Sequence, residues 1–103
     1  MTAWTTIAKL AEFPVDTRRV ISIDGQAIIV FNLGGNFYAI EDRCSHDDSP
    51  LHEGELEGDE IICPWHGARF CLKTGEVTEP PAYEDIQTFP VRIENGLIQI
   101  KVN

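Results

Sequence analysis

Short apolar runs alternate with turn residues along most of this chain. Segments rich in Val, Ile, Phe and Tyr recur, and Gly, Asp, Asn and Pro separate them. Runs of this kind are typical of short antiparallel strands rather than of helices, whose apolar positions would repeat every three to four residues. The pattern therefore predicts an all-β fold.

One hairpin is predicted in the first third of the chain. The dipeptide Asp24-Gly25 separates two β-branched runs at 19–23 and 27–31. Asp-Gly between two such runs is a strong signal for a two-residue hairpin turn. A third strand is expected at 37–40.

The two ends of the chain are both predicted to contribute to sheets. Asn95-Gly96 lies between runs at 88–93 and 97–102, which predicts a second hairpin. We expect the two ends to close on one another. Helix is expected only at 5–12, as a short turn that Pro14 limits.

Length and composition favour a single domain over 1–103. A chain of 103 residues leaves little room for a second hydrophobic core. The sequence contains neither an apolar run long enough to cross a membrane nor the residue order of a signal peptide at its start, so a cytoplasmic location is expected. Three cysteines cannot all pair, which favours metal-binding or thiol roles over a disulfide framework.

The chain is strongly acidic. Its net charge is -9, from 17 acidic residues against 8 Lys and Arg. This balance argues against nucleic acid or an anionic membrane as a partner. A basic protein surface is the natural complement, although an acidic composition also serves solubility.

Two Cys-His pairs carry the candidate chemistry. Cys44 and His46 form the first pair, and after sixteen residues Cys63 and His66 form the second. All cysteines and histidines of the chain lie within 44–71. Thiolate and imidazole ligands suit iron and zinc, so these residue types alone leave both metals open.

The two pairs and their surroundings resemble the two ligand boxes of Rieske proteins. The first box reads Cys44-Ser45-His46 and the second begins Cys63-Pro64-Trp65-His66. The residues that extend the resemblance to the ferredoxin branch of that family are Pro50, Leu51 and Gly54, then Gly67-Ala68-Arg69-Phe70, then Gly75 and Pro80-Pro81-Ala82.

The resemblance implies a fold and a cofactor. Rieske proteins are antiparallel β-sandwiches or barrels with an inserted cluster-binding subdomain of two loops, which here corresponds approximately to 42–75. The family's cofactor is one 2Fe-2S cluster, in which two cysteines bind one iron and two histidines bind the other. By resemblance, the ligands are Cys44, His46, Cys63 and His66.

The resemblance also implies an electron carrier rather than an enzyme. Short members of the family carry single electrons from a flavin-dependent ferredoxin reductase to the terminal oxygenase of an aromatic-ring dioxygenase system, and they act on no small-molecule substrate. High-potential relatives have serine and tyrosine after the second box, where this chain has Ala68 and Phe70. A low-potential carrier is therefore expected.

Alternatives to this interpretation concern both function and ligands. The same fold also occurs in redox subunits of other assemblies, such as those of nitrite reductase or iron-sulfur biogenesis. A zinc-stabilised interaction module is an alternative from a different class. His52 and Cys71 lie outside the two boxes and are not assigned as ligands.

Overall fold

A computed structural model describes residues 3–45 and 48–102. In this part of the chain, eleven strands form three antiparallel sheets and no α-helix occurs, which confirms the predicted all-β fold. The strands are β1 (Ala3–Lys9), β2 (Thr17–Ile23), β3 (Gln26–Leu33), β4 (Asn36–Glu41), β5 (Leu56–Glu57), β6 (Glu60–Ile62), β7 (Arg69–Cys71), β8 (Val77–Glu79), β9 (Thr88–Phe89), β10 (Val91–Glu94) and β11 (Leu97–Val102).

The sheet β2-β3-β4-β9 forms the base of the molecule. Its first two strands are joined at Asp24 and Gly25, with φ values of 51° and 80°. Positive φ at both central residues is the type I′ geometry that matches the twist of a hairpin. This hairpin and the third strand, β4, are confirmed.

A second sheet, in the order β1-β11-β10, joins the two ends of the chain. The predicted Asn95-Gly96 hairpin connects β10 to β11, and β1 pairs with β11. The expected helical turn over 5–12 is wrong for most of its length, because β1 extends to Lys9 and only Leu10–Glu12 forms a 3-10 turn. The long-range pairing with β11 determines this segment's structure.

The strand predicted at 88–93 is two strands in the structure. Thr88–Phe89 pairs with β4 in the base sheet, whereas Val91–Glu94 pairs with β11 in the second sheet. Pro90 separates them, because proline has no N–H to donate to a ladder. Its carbonyl accepts a hydrogen bond from the Lys101 N–H at 3.1 Å.

Strand β3 divides its side chains between two hydrophobic cores. Ile28 and Val30 pack into the core between the base sheet and the second sheet. Ile29 and Phe31 point to the opposite face and pack into the other core. Alternation along a strand thus gives β3 two buried faces, in agreement with its almost continuous apolar sequence.

The second core connects the base sheet to the third sheet, β5-β6-β7-β8. Leu51, Ile61 and Phe70 are fully buried in it. This third sheet is short, and the two Cys-His segments lie between β4 and β5 and between β6 and β7. Within the described residues, no helix has the length and apolar character that a membrane span requires.

Candidate metal centre

The second Cys-His segment is a tight turn between β6 and β7. The N–H of Cys63 donates to the Ala68 carbonyl at 2.7 Å, and the Cys63 carbonyl accepts from the Gly67 N–H at 3.1 Å. Gly67 has a φ of 78°, a conformation that glycine adopts without steric cost. These bonds close the turn around His66, and the residue beginning the turn is the cysteine.

The first Cys-His segment has the same closure. The N–H of Cys44 donates to the Ser49 carbonyl, and the Cys44 carbonyl accepts from the Asp48 N–H, both at 2.8 Å. Asp48, like Gly67, is four residues after the cysteine and has a positive φ, of 62°. His46 and Asp47 lie outside the described residues. The backbone on either side of them has the same pair of closing hydrogen bonds as the second Cys-His segment.

Burial distinguishes the cysteines from the histidine that the structure describes. Cys44 and Cys63 are at most 1% exposed and belong to the core beneath the third sheet. His66 is exposed, and the neighbouring Trp65 is 65% exposed. The two thiols therefore lie on the protein side of the turns, and the described imidazole lies on the solvent side.

Asp42 connects the start of the first Cys-His segment to a turn at 51–54, which the Gly54 N–H closes by donating to the Leu51 carbonyl. Asp42, whose side chain is only 5% exposed, accepts through Oδ1 from the N–H groups of Leu51 and His52 at 2.7 and 2.9 Å. Its Oδ2 lies 2.8 Å from Nδ1 of His52. One carboxylate thus joins the chain before Cys44 to the chain after it. His52 uses Nδ1 in this contact with Asp42.

The proline-bearing loop at 80–86 is attached to the first Cys-His turn and to Gly75. Ser45 donates from its hydroxyl to the Glu84 carbonyl at 2.5 Å. The Ile86 N–H donates to the Gly75 carbonyl at 2.8 Å. Because Ile86 is also buried in the core that contains the two cysteines, the loop is held against this end of the molecule.

Cys71 occupies the first position of a third copy of the same turn. Its N–H donates to the Glu76 carbonyl at 2.9 Å, and its carbonyl accepts from the Gly75 N–H at 2.8 Å. Gly75 again has a positive φ, of 75°. The residues of this turn, 72–75, include no histidine. The turn geometry therefore does not by itself make a cysteine part of a Cys-His pair.

Arg43 contacts acidic side chains on both sides of the first Cys-His segment. Arg43 Nη1 donates to Asp48 Oδ1 at 2.5 Å, and its Nε lies 3.4 Å from Glu41 Oε2. The hydrogen bond to Asp48, followed by the charge of Glu41, raises the pKa of Arg43 above its ordinary value. Since Arg43 and Asp48 are exposed, the contact between them contributes more to the loop's geometry than to stability.

The donor set fits a two-iron centre. In a 2Fe-2S cluster of the Rieske type, each iron takes two protein ligands, so the four ligands do not surround one ion. Buried thiols behind an exposed imidazole, as in Cys63 and His66, agree with a cluster whose histidine-bound iron is the outer one.

Two supporting residues were not predicted from the sequence. Asp42 closes the base of the first segment, and Arg18 donates to the carbonyls of His52 and Gly54 from strand β2. Most of their hydrogen bonds are made with backbone groups, which leave no residue-type pattern to detect. The only signal available was the position of Asp42 two residues before a ligand-type cysteine.

Comparisons with known proteins identify the family. The model of the Rieske [2Fe-2S] domain matches residues 3–90. The chain is 47% identical over 87 residues to the 3-phenylpropionate/cinnamic acid dioxygenase ferredoxin subunit of Shigella flexneri serotype 5b (strain 8401), covering 84% of this chain and 76% of the relative.

Solved structures resemble the fold over nearly its whole length. A chain in a complex of reduced oxygenase and oxidized ferredoxin of carbazole 1,9a-dioxygenase superposes with a TM-score of 0.87 at 32% identity, covering 94% of this chain and 91% of that chain. The ferredoxin of carbazole 1,9a-dioxygenase from Nocardioides aromaticivorans IC177 gives 0.86 at 27% identity, covering 94% and 95%.

The family match and the relatives establish the cofactor and the class of protein. A Rieske domain holds a 2Fe-2S cluster, which supplies a one-electron couple. The curated relatives are ferredoxin subunits, which are electron-transfer components. This chain belongs to the Rieske [2Fe-2S] domain family and is an electron carrier rather than an enzyme.

Proposed function

We propose that this chain is a low-potential Rieske ferredoxin that carries single electrons from a flavin-dependent reductase to a terminal oxygenase. Its cluster ligands are Cys44, His46, Cys63 and His66. The chain acts as one domain over 1–103, in which approximately 42–75 form the cluster-binding subdomain.

The observation that carries the ligand assignment is the burial of Cys44 and Cys63, each at the start of a turn whose sequence also contains a histidine. The two turns have the same hydrogen-bond closure, and each begins with a buried thiol. One turn has histidine two residues after the cysteine and the other has it three residues after. Each turn would thus supply one thiolate to the inner iron and one imidazole to the outer iron.

The exposed side of the site is suited to electron exchange. His66 is exposed, whereas the thiols lie behind it. An electron on the cluster would therefore reach a partner through the imidazole side rather than through the core. The net charge of -9 favours partners that present a basic surface around their own redox centre, and it disfavours nucleic acid and anionic membranes.

The low-potential assignment rests on two apolar positions. Ala68 and Phe70 are both fully buried next to the second turn and contribute no side-chain hydroxyl. Hydrogen bonds to the cluster and to cysteine sulfur are among the factors that set the reduction potential, because they favour the more negative reduced state. Without hydroxyls at these positions, we expect a value toward the lower end of the Rieske range.

The partner assignment follows the relatives. A ferredoxin in complex with its oxygenase is among the structures that resemble this chain, and the curated relative is a dioxygenase ferredoxin subunit. Partners of the same kind are proposed here, with a reductase that delivers electrons one at a time. A cytoplasmic location completes the proposal, since a thiolate-bound cluster and the half-buried thiol of Cys71 suit a reducing compartment.

The test of this proposal is analysis of the purified protein. We expect two iron and two inorganic sulfide per chain, and an EPR spectrum of Rieske type after reduction. One zinc and no acid-labile sulfide would overturn it. Stopped-flow reduction by a flavin-dependent ferredoxin reductase, followed by electron delivery to a dioxygenase terminal component, tests the place of the chain between these partners.

A further inference from the structure

Arg18 links the base sheet to the cluster-binding turns. Its Nη1 group donates to the His52 carbonyl at 3.0 Å and to the Gly54 carbonyl at 2.6 Å. Its guanidinium carbon lies 5.1 Å from the centre of the Phe31 ring, which belongs to the opposite residue on strand β3. Stacking on this buried ring fixes the direction in which the guanidinium points.

The turn that Arg18 holds is connected to both ligand segments. Asp42 joins the 51–54 turn to the start of the first segment through three contacts. On its other side, the turn packs against strand β6, which leads into Cys63. A Cβ atom on Gly54 would lie only 2.2 Å from the Ile62 carbonyl oxygen, so the two backbones are in close contact here.

These contacts suggest a role beyond packing. We propose that Arg18 is a positioning residue for the cluster, which fixes the two ligand turns relative to each other by holding the 51–54 turn against the base sheet. This inference rests on the ligand assignment proposed above. Burial lowers the pKa of Arg18 from its ordinary value, but the side chain remains a cation and a donor.

Strand β2 supplies a matched control in the next residue. Arg19 also places its guanidinium over a phenylalanine ring, 4.9 Å from the centre of Phe13, and it also donates to a backbone carbonyl, that of Glu12. It lies on the other face of the strand, however, and Phe13 belongs to the core that contains neither cysteine. Substitution of either arginine by Met removes one positive charge and one stacked guanidinium.

The experiment compares Arg18→Met, Arg18→Lys and Arg19→Met as holoproteins. Iron and sulfide content and the reduced EPR signal are measured first on the unsubstituted protein, which tests the ligand proposal independently. The rate of cluster bleaching at a fixed temperature and the width of the EPR lines are then compared among the variants. A purely structural role for Arg18 would not broaden the EPR lines of the protein that still holds its cluster.

We expect Arg18→Met to bleach roughly tenfold faster than Arg19→Met, because it loses two hydrogen bonds from a charged donor near the ligand turns. Its EPR lines should be broader, since the ligand turns would sample more than one arrangement. Arg18→Lys retains a donor and should recover part of both effects. If Arg18→Met does not fold, the comparison uses Arg18→Lys against Arg19→Met. Equal bleaching and equal line widths at the two positions would overturn the proposal.

Discussion

The close approach of Gly75 to the proline-bearing loop provides a quantitative prediction. A Cβ atom on Gly75 would lie 2.1 Å from the Ile86 carbonyl oxygen, whereas ordinary contacts begin at 3.4 Å. Gly58 has a similarly positive φ, of 62° against 75°, but a Cβ there would meet nothing within 4 Å. Alanine at either position has the same backbone strain, about 1–2 kcal/mol. The difference between the two variants therefore isolates the clash.

The clash should be costly because the Ile86 backbone must move by about 1 Å. That movement weakens the hydrogen bond from the Ile86 N–H to the Gly75 carbonyl, worth about 1 kcal/mol. It also begins to expose a side chain that is now 4% exposed and whose full burial contributes about 1.5–3 kcal/mol. We expect Gly75→Ala to be less stable than Gly58→Ala by about 2 kcal/mol, with most of the buried area of Ile86 retained.

The assay is thermal unfolding of the two holoproteins, followed by far-UV circular dichroism and by cluster absorbance at one scan rate. For a domain of about 100 residues, 1 kcal/mol shifts the midpoint by roughly 4–8 °C, so Gly75→Ala should melt about 10 °C below Gly58→Ala. The reduction potential of Gly75→Ala should also shift, because the loop that contains Ile86 contacts Ser45 through the Glu84 carbonyl. Midpoints within about 2 °C of each other would refute the reasoning, because they correspond to a stability difference below about 0.5 kcal/mol on the same conversion.

Two further predictions concern the ligands and their surroundings. His66→Cys should change the visible and EPR spectra more than His52→Ala or Cys71→Ser, because it alone replaces a proposed ligand; loss of the cluster in Cys71→Ser with an intact cluster in His66→Cys would contradict the ligand set. Ala68→Ser combined with Phe70→Tyr should raise the reduction potential by tens of millivolts, since about 1.4 kcal/mol of added hydrogen bonding to the reduced state corresponds to ~59 mV for one electron. Protein-film voltammetry at one pH measures this shift, and an unchanged or lowered potential in a protein with an intact cluster would show that these two positions do not set it.

The sequence predicted best those features whose causes are local. The Asp24-Gly25 hairpin depends on two residues that accept positive φ, and the Cys-His boxes depend on a few neighbouring residues. Strand β1 was not predicted, because its conformation depends on β11, about ninety residues away in the chain. Pro90 was present in the sequence, but its division of one predicted strand between two sheets also depends on which partners lie on either side.

The supporting contacts of the site were beyond prediction for a different reason. The hydrogen bonds of Arg18, and two of the three contacts of Asp42, are made with backbone carbonyl and N–H groups, which every residue has. A contact of this kind imposes no requirement on the residue type of its partner, so one sequence contains no matching pair to recognise. The fit of Gly54 against Ile62 shows a similar limit, because glycine there reflects a close approach of two backbones that only the folded chain reveals.

The threefold use of one turn bears on how such a site can arise. The turns that begin at Cys44, Cys63 and Cys71 share their hydrogen-bond closure, and the third contains no histidine. The same closing hydrogen bonds therefore form without a histidine in the turn between β7 and β8. A pair of side-chain substitutions in such a turn would add half of the ligand set without rebuilding the chain around it. Gain or loss of the site during evolution would then proceed by point mutation on a fold that is already in place.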